Sequence, residues 1–274
     1  MHNHIRRHVA SALAEDIGSG DVTAALIRQD LRIAARIISR QQAVLCGRAW
    51  FDEVFAQLDP GVTVTWERAD GDRVAPDGLV CSIEGPARAV LTGERTALNY
   101  LQCLSGTATA ARQYAEAVAG TRCKILDTRK TLPGLRLAQK YAVRCGGAEN
   151  HRTGLFDGIL IKENHVSSAG SLASAIAAAA ALNTGLPIEA EVENPAELRE
   201  ALAAGADIIM LDNFSLEDTR EAVAITDGQA KLEASGNMTL ERVREVAETG
   251  VDFISIGALT KNVNAIDLSM RVVE

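Results

Sequence analysis

Aromatic side chains are scarce in this sequence: Phe, Trp and Tyr together make up 4% of 274 residues. That scarcity argues against a stacking platform for single-stranded nucleic acid. Net positive charge is missing as well. The 28 Lys and Arg residues are outnumbered by 36 Asp and Glu, a net −8. Such a chain is a poor partner for DNA, RNA or an anionic membrane surface. The longest apolar run, the alanine-rich stretch from Ala173 to Leu182, is too short and too weakly hydrophobic to span a bilayer. The N-terminus runs from Met1-His2-Asn3-His4 to Glu15-Asp16 without an apolar stretch, so no secretory signal is expected. Five cysteines (Cys46, Cys81, Cys103, Cys123 and Cys145) form no CxxC pair. Zinc and redox motifs are therefore not signalled, and reduced, buried thiols in a cytoplasmic protein are the expectation.

What is present suits an ordinary globular chain. Hydrophobic content is 47% and charged content 23%, which excludes wholesale disorder. At ~150 residues per domain the length implies about two domains. The first 120 residues read as a small α+β unit. A helix opens the chain, and strands are expected over Ile33–Ser39, Val62–Trp66 and Leu79–Ile83. Ala49–Leu58 and Ala89–Leu104 read as helices, with Gly106 breaking the latter before a second helix to about Ala119. From residue 121 the rhythm changes. Six short apolar strands, around Ile125, Ile159, Ile188, Ile208, Leu232 and Ile254, alternate with helical stretches. Such alternation implies right-handed βαβ crossovers and a parallel sheet.

The strand ends carry the polar residues. They are Asp127-Thr128-Arg129-Lys130, Lys162-Glu163, Glu191-Val192-Glu193, Asp212-Asn213, Ser235-Gly236-Asn237 and Gly257-Ala258. In a β/α barrel those ends converge on one mouth, where such enzymes place their sites. A dinucleotide-binding sheet would show GxGxxG after its first strand, and here the first strand runs into Thr128-Arg129-Lys130-Thr131-Leu132-Pro133. The expected fold class is α/β. An incomplete β/α barrel of about six parallel strands, residues 121–274, follows an N-terminal α+β open-sandwich domain, residues 1–120. The C-terminal segment, read as a helix, is expected to pack back on the first domain.

Three constellations stand out. Glu191, Glu193 and Asp212 could hold a hydrated Mg2+ or bond sugar hydroxyls, since hard oxygen ligands suit both; they could equally cap the helices that follow. Arg129, Lys130, Arg152 and Lys162, with His151 adjoining, need anions to relieve their mutual repulsion if they share one mouth. As isolated residues they would be solvated surface charges. Ser235-Gly236-Asn237 and Gly257-Ala258 allow backbone amides to approach a phosphate, or make plain tight turns.

Longer segments sharpen this. Glu15-Asp16-Ile17-Gly18-Ser19-Gly20-Asp21, Gly93-Glu94-Arg95-Thr96, Asp127-Thr128-Arg129-Lys130-Thr131, Asn150-His151-Arg152, Lys162-Glu163-Asn164-His165, Glu191-Val192-Glu193, Leu211-Asp212-Asn213, Glu233-Ala234-Ser235-Gly236-Asn237 and Ile256-Gly257-Ala258-Leu259-Thr260 occur in one order over nearly the whole chain. Together they closely resemble the quinolinate phosphoribosyltransferase family. The resemblance implies transfer of the phosphoribosyl group of phosphoribosyl pyrophosphate (PRPP) to quinolinate with decarboxylation. The products are nicotinate mononucleotide, pyrophosphate and CO2, in NAD biosynthesis with Mg2+ as cofactor. It implies that Arg129, His151, Arg152 and Lys162 hold quinolinate, with Thr128 also among the substrate-binding residues. Arg95 is expected to reach the same site from the partner subunit of a homodimer. Lys130, Glu191 and Asp212 are the expected catalytic residues. Lys130 lies near PRPP, and the two acids lie at the ribose hydroxyls and the Mg2+, directly or through water. The backbone at Ser235, Gly236 and Asn237 and at Ile256, Gly257 and Ala258 is expected to bind the 5-phosphate. The stretch from Cys145 to Gly154 is a candidate lid. Quinolinate is a dicarboxylate, and Arg95, Arg129, Arg152 and Lys162 are more cations than a monocarboxylate needs. The charge distribution agrees. Residues 121–152 hold eight Lys and Arg and two acids, a net +6, so the rest of the chain carries −14.

Overall fold

The computed structural model describes residues 1–273. The chain divides into two compact units, residues 1–110 with 263–273, and residues 111–262.

The first unit begins with helix α1 (His2–Ile17), then strands β1 (Arg32–Ser39) and β2 (Ala43–Val44), helix α2 (Arg48–Leu58), and strands β3 (Thr63–Trp66), β4 (Arg73–Val74) and β5 (Leu79–Pro86). Helix α3 (Ala87–Ala117) starts in this unit and ends in the second. Strand β12 (Leu268–Val273) closes the chain and pairs antiparallel with β1, giving a sheet of order β12-β1-β5-β3. Alternation explains which face is covered: Ala35, Ile37 and Ser39 of β1 are buried, and the residues between them are more open. Trp50, Phe51, Val54 and Phe55 form the buried stripe of α2. Phe51 packs edge-on against both Phe55 and Trp66, each with ring centroids 5.2 Å apart. Phe51 and Phe55, both buried, are each worth roughly 1.5–3 kcal/mol of hydrophobic stabilisation.

The second unit contains six parallel strands: β6 (Lys124–Leu126), β7 (Ile159–Ile161), β8 (Ile188–Val192), β9 (Ile208–Asp212), β10 (Lys231–Ser235) and β11 (Phe253–Ser255). Between them run α4 (Arg136–Cys145), α5 (Glu163–Ala169), α6 (Leu172–Ala181), α7 (Pro195–Ala203), α8 (Leu216–Thr226) and α9 (Val243–Ala247), and α10 (Ala258–Lys261) follows β11. Local sequence sets several helix starts. The Ser171, Asn194 and Ser215 side chains accept backbone N–H bonds at the starts of α6, α7 and α8, and Pro195 follows Asn194. Leu172, Ala175, Ile176 and Ala179 give α6 its buried stripe at helical spacing.

The sheet order is β6-β11-β10-β9-β8-β7. A closed barrel would also pair β6 with β7. Instead Glu149 makes a single parallel bridge to Leu126. Its N–H donates to the Ile125 carbonyl at 2.8 Å, and its own carbonyl accepts from the Asp127 N–H at 3.2 Å. Among the described residues the wall stays open between this bridge and β7. The fold is therefore the expected six-stranded incomplete barrel with a separate antiparallel N-terminal sheet.

Three local expectations are corrected. The C-terminal segment is the strand β12, not a helix: Leu268 to Val273 offers its backbone to the free edge of β1. The helical stretch before the last strand, which the sequence pattern extends over Leu240–Glu248, is confined to Val243–Ala247. Finally, Gly106 does not break α3, which runs unbroken from Ala87 to Ala117. Its glycine answers a packing demand, since a Cβ there would lie 2.1 Å from the carbonyl oxygen of Asn264. Gly106→Ala keeps helix propensity and adds one methyl group where there is no room. We expect it to destabilise the protein by ~1–3 kcal/mol, as overpacking does, measured as a lower urea midpoint. A midpoint equal to or above the wild type would refute this account of Gly106.

Candidate active site

Site construction starts at the end of β6. Asp127 is fully buried and Lys140, from α4, nearly so. Lys140 Nζ donates to Asp127 Oδ1 at 2.5 Å and to the His151 carbonyl at 2.8 Å. The His151 N–H donates to Asp127 Oδ1 at 2.9 Å, and Asn150 Nδ2 donates to Oδ2 at 2.7 Å. Asp127 thus accepts three bonds and binds residues 150–151 to the first strand. Burial pushes the Asp127 carboxyl up and the Lys140 amine down, and their attraction for each other only partly offsets it. The stretch expected as a lid, Cys145 to Gly154, is held at several points: residues 149–151 are bonded to the end of β6, and Arg112 donates to the carbonyls of Gly146 at 2.7 Å and Cys145 at 3.2 Å.

The strand ends then assemble around one cavity of about 260 Å³, lined by Thr128, Arg129, Lys130, His151, Arg152, Lys162, Glu191, Asp212 and Ser235 among others. Arg129 Nε is buried with no partner, a donor left for a ligand. Burial, with the Arg129 guanidinium beside it, pulls the Arg152 guanidinium below its ordinary value. Lys162, after β7, is ion-paired with Glu191 of β8. Asp212, at the end of β9, accepts from Asn213 Nδ2 at 2.9 Å.

A second cavity of about 550 Å³ shares Thr128, Lys130, Ser235 and Ser255 with the first. Gly236, Asn237, Ile256, Gly257 and Ala258 complete its small-residue wall. Gly236 has φ +95°, and a Cβ there would lie 2.2 Å from Asn213 Oδ1. Only glycine lets the ends of β9 and β10 approach this closely. Every site residue expected within the second unit lies in one of two adjoining cavities except Glu193, which lines neither and whose backbone N–H donates to Glu197 Oε2 at the start of α7. Arg95 belongs to the other unit, exposed on α3.

Two functional candidates escaped the sequence analysis. Glu189 and Glu233 lie mid-strand in β8 and β10, 4% and 1% exposed. His151 Nε2 is 2.8 Å from Glu189 Oε2 and 3.5 Å from Glu233 Oε2. Burial would push the His151 imidazole down, but the bond to Glu189 and the charges of Glu233 and Glu189 outweigh it and raise it. Burial and the neighbouring Glu189 charge push the Glu233 carboxyl up to about 8. Ligand atoms of the three residues lie within 4.8 Å of one another, but Nε2 is already taken by Glu189, so the group is a hydrogen-bonded cluster and not a set of free metal ligands. The signal that would have revealed them is the period of two along a strand. Glu189 shares a face with Glu191, and Glu233 shares one with Ser235.

A barrel mouth that combines a cation clamp, two carboxylates and a small-residue cradle defines an enzyme that joins two anionic substrates, one of them phosphorylated. The chain belongs to the quinolinate phosphoribosyltransferase family. Residues 107–271 match the quinolinate phosphoribosyl transferase C-terminal domain and residues 21–105 its N-terminal domain. A probable nicotinate-nucleotide pyrophosphorylase [carboxylating] of Bacillus subtilis is 42% identical over 272 residues, covering 99% of this chain and 94% of that one. The chloroplastic nicotinate-nucleotide pyrophosphorylase [carboxylating] of Arabidopsis thaliana is 40% identical, covering 95% and 80%. The structure of the nicotinate-nucleotide pyrophosphorylase from Francisella tularensis superposes with a TM-score of 0.97 at 48% identity, covering 100% and 97%. Human nicotinic acid phosphoribosyltransferase, at 15% identity and a TM-score of 0.66, shares the fold.

The Asp127→Asn variant leaves the Lys140 charge buried without its counter-ion and is expected to cost ~3–5 kcal/mol, read from chemical denaturation. Replacing both partners, Asp127→Leu with Lys140→Met, removes the unpaired charge but takes the acceptor from the Asn150 amide and the His151 N–H, so it recovers only part of that loss and does not restore activity. Full activity in the double variant would show that the pair has no role in building the site. Glu233 adds a pH effect. Its folded value is raised above the unfolded one, so its contribution to stability is present below about pH 4.5 and is lost as pH rises through about 8. The wild-type midpoint should fall across that window relative to Glu233→Gln; parallel curves would contradict the assignment.

Proposed function

We propose that this enzyme transfers the phosphoribosyl group of PRPP to quinolinate, releasing pyrophosphate and CO2 and forming nicotinate mononucleotide for NAD biosynthesis. One observation carries the proposal: Arg129, Lys130, Arg152 and Lys162 line a single small cavity together with Glu191 and Asp212. Arg129, Arg152 and Lys162 suit a ligand with two carboxylates, because guanidinium and ammonium groups bond carboxylate oxygens through charge-assisted hydrogen bonds, and Lys130 is left for the pyrophosphate. The adjoining cradle of Ser235, Gly236, Asn237, Ile256, Gly257 and Ala258 suits the 5-phosphate, whose oxygens accept backbone N–H bonds. Lys130 and Thr128 line both cavities, where a molecule bridging them would pass.

The chemistry follows from the charges. As pyrophosphate departs, positive charge grows on the ribose ring. Glu191 and Asp212 stabilise that charge, and Lys130 stabilises the departing anion. The pyridine nitrogen of quinolinate, held by Arg129, Arg152 and Lys162, attacks the anomeric carbon and becomes cationic. The cationic ring accepts the electron pair left by the neighbouring carboxylate, which leaves as CO2. Positioning the two reactants supplies much of the rate.

The donor chemistry fits a hydrated Mg2+. Asp212 accepts one bond from an amide and has no cation partner among the described residues. Asp212 and Glu191 would hold the ion, directly or through water, and when bound it neutralises charge on the pyrophosphate. A homodimer completes the reading. Arg95 is exposed and makes no hydrogen bond or ion pair among the described residues, which leaves it available to a partner's site. No helix among the described residues is long and apolar enough to cross a membrane, in keeping with a cytoplasmic enzyme.

Incubation with PRPP, Mg2+ and quinolinate labelled at the 2-carboxylate should give labelled CO2 only when PRPP is present. Turnover of nicotinate in its place would overturn the proposal. Arg129→Ala and Arg152→Ala should each raise the quinolinate KM roughly 10- to 100-fold, the worth of a charged hydrogen bond at ~1.5–3 kcal/mol, while PRPP binding by calorimetry persists. Unchanged quinolinate kinetics in both variants would remove the clamp assignment.

A further inference from the structure

Resting on the function proposed above, the reaction leaves an electron pair on the ring carbon that loses CO2, and that carbon must gain a proton. The carboxylates at the ribose are poor donors, since Glu191 is ion-paired with Lys162 and Asp212 accepts a bond from Asn213. A different acid faces the cavity from below. Glu233 lines the 260 Å³ cavity and also a deeper one of about 220 Å³ inside the barrel. Its Oε1 is buried without a partner.

Geometry also fixes how many protons the cluster holds. The Arg152 backbone N–H donates to His151 Nδ1 at 2.8 Å, so Nδ1 acts as an acceptor and the ring proton sits on Nε2. That N–H points to Glu189, the nearer carboxylate at 2.8 Å, rather than to Glu233 at 3.5 Å. Two carboxylates buried around a single N–H donor do not both ionise at modest cost, so one keeps a proton, and Glu233 is the more buried and less well bonded. The groups that act on it most are Glu189 and Glu191 from β8, His151 and Ser255, and Arg129, Lys130, Arg152 and Lys162 line the same cavity, where their charges oppose the protonated form. Burial, Glu189 and Glu191 favour its protonated form, and His151 and Ser255 oppose.

We propose that Glu233 is the acid that protonates the ring carbon vacated by CO2. The bond from the ring to the departing carboxylate breaks, and its electron pair remains on the carbon beside the cationic nitrogen. That pair takes the Glu233 proton and forms the new C–H bond, leaving Glu233 as a carboxylate. The deeper cavity returns the proton. At ~30 Å³ per water it holds several molecules, and its lining includes Glu149 and Asp157, both exposed. They flank the opening between the Glu149 bridge and β7. The missing closure of the barrel thereby connects Glu233 with solvent without passing through the substrate site.

The test is a single turnover with excess enzyme in equal parts H2O and D2O, reading the H:D ratio at the ring carbon of the nicotinate mononucleotide formed. Only folded, active enzyme makes product, so the ratio is independent of any folding loss. Glu233→Gln should form product at least tenfold more slowly with quinolinate and PRPP KM values within twofold of wild type, and with an altered H:D ratio. The wild-type kcat/KM should fall as pH rises through about 8, because the acid form is required, and Glu233→Gln should lose that limb. Glu189→Gln, which keeps Glu233 but removes a charge favouring its proton, should move the limb to lower pH. An unchanged H:D ratio in Glu233→Gln would assign the proton to water or a lysine and overturn the proposal. If the wild type releases no PRPP-dependent CO2, the proposed reaction itself fails; that result is distinguishable from an active wild type with an unchanged ratio.

Discussion

The buried contact between Asp127 and Lys140 is the constraint on which the rest of the site depends. Asp127 ends the first barrel strand, and its two oxygens accept from Lys140, Asn150 and the His151 backbone. Burial disfavours both charges, so the pair is weak evidence for stability. Its consequence is positional. It holds the segment carrying Glu149, His151 and Arg152 against β6, where a further strand would otherwise sit. Together with the backbone bridge of Glu149 to Leu126, this contact fixes the segment so that Arg152 lies beside Arg129 and His151 faces Glu189 and Glu233.

Charge in the barrel is layered. At the mouth, Arg129, Lys130, Arg152 and Lys162 crowd one cavity. Beneath them, Glu189 and Glu233 approach His151 within an apolar wall. Cations near one another in low dielectric repel strongly, and the one carboxylate of that buried pair that ionises offsets part of the repulsion. An anionic ligand relieves what remains, which favours small, highly charged anions over a polymer that the acidic remainder of the chain would repel.

Much of this was legible without coordinates. The six strands, their polar ends and the absence of a dinucleotide loop follow from alternation and local chemistry, because parallel strands with helices on one side are short and apolar and place their polar residues where the chain leaves the sheet. The resemblance carried by Asp127-Thr128-Arg129-Lys130-Thr131 and Asn150-His151-Arg152 pointed to the family that the relatives establish. Gly106 was misread because a glycine inside a helix looks the same in sequence whether it ends the helix or admits a neighbouring backbone. The C-terminal strand was missed because Leu268 to Val273 has little meaning except beside the edge of β1.

By itself, the sequence determined the class of fold, the family and the residue types at the barrel mouth, since these depend on periodicity and on motifs contiguous in the chain. Only the tertiary structure decided which charges meet. Glu189 and Glu233 are 44 residues apart, and both lie beside His151 only because β8, β9 and β10 are adjacent in the sheet. Whether a glutamate keeps its proton depends on burial and on the charges within a few ångströms, and no local stretch of sequence specifies either.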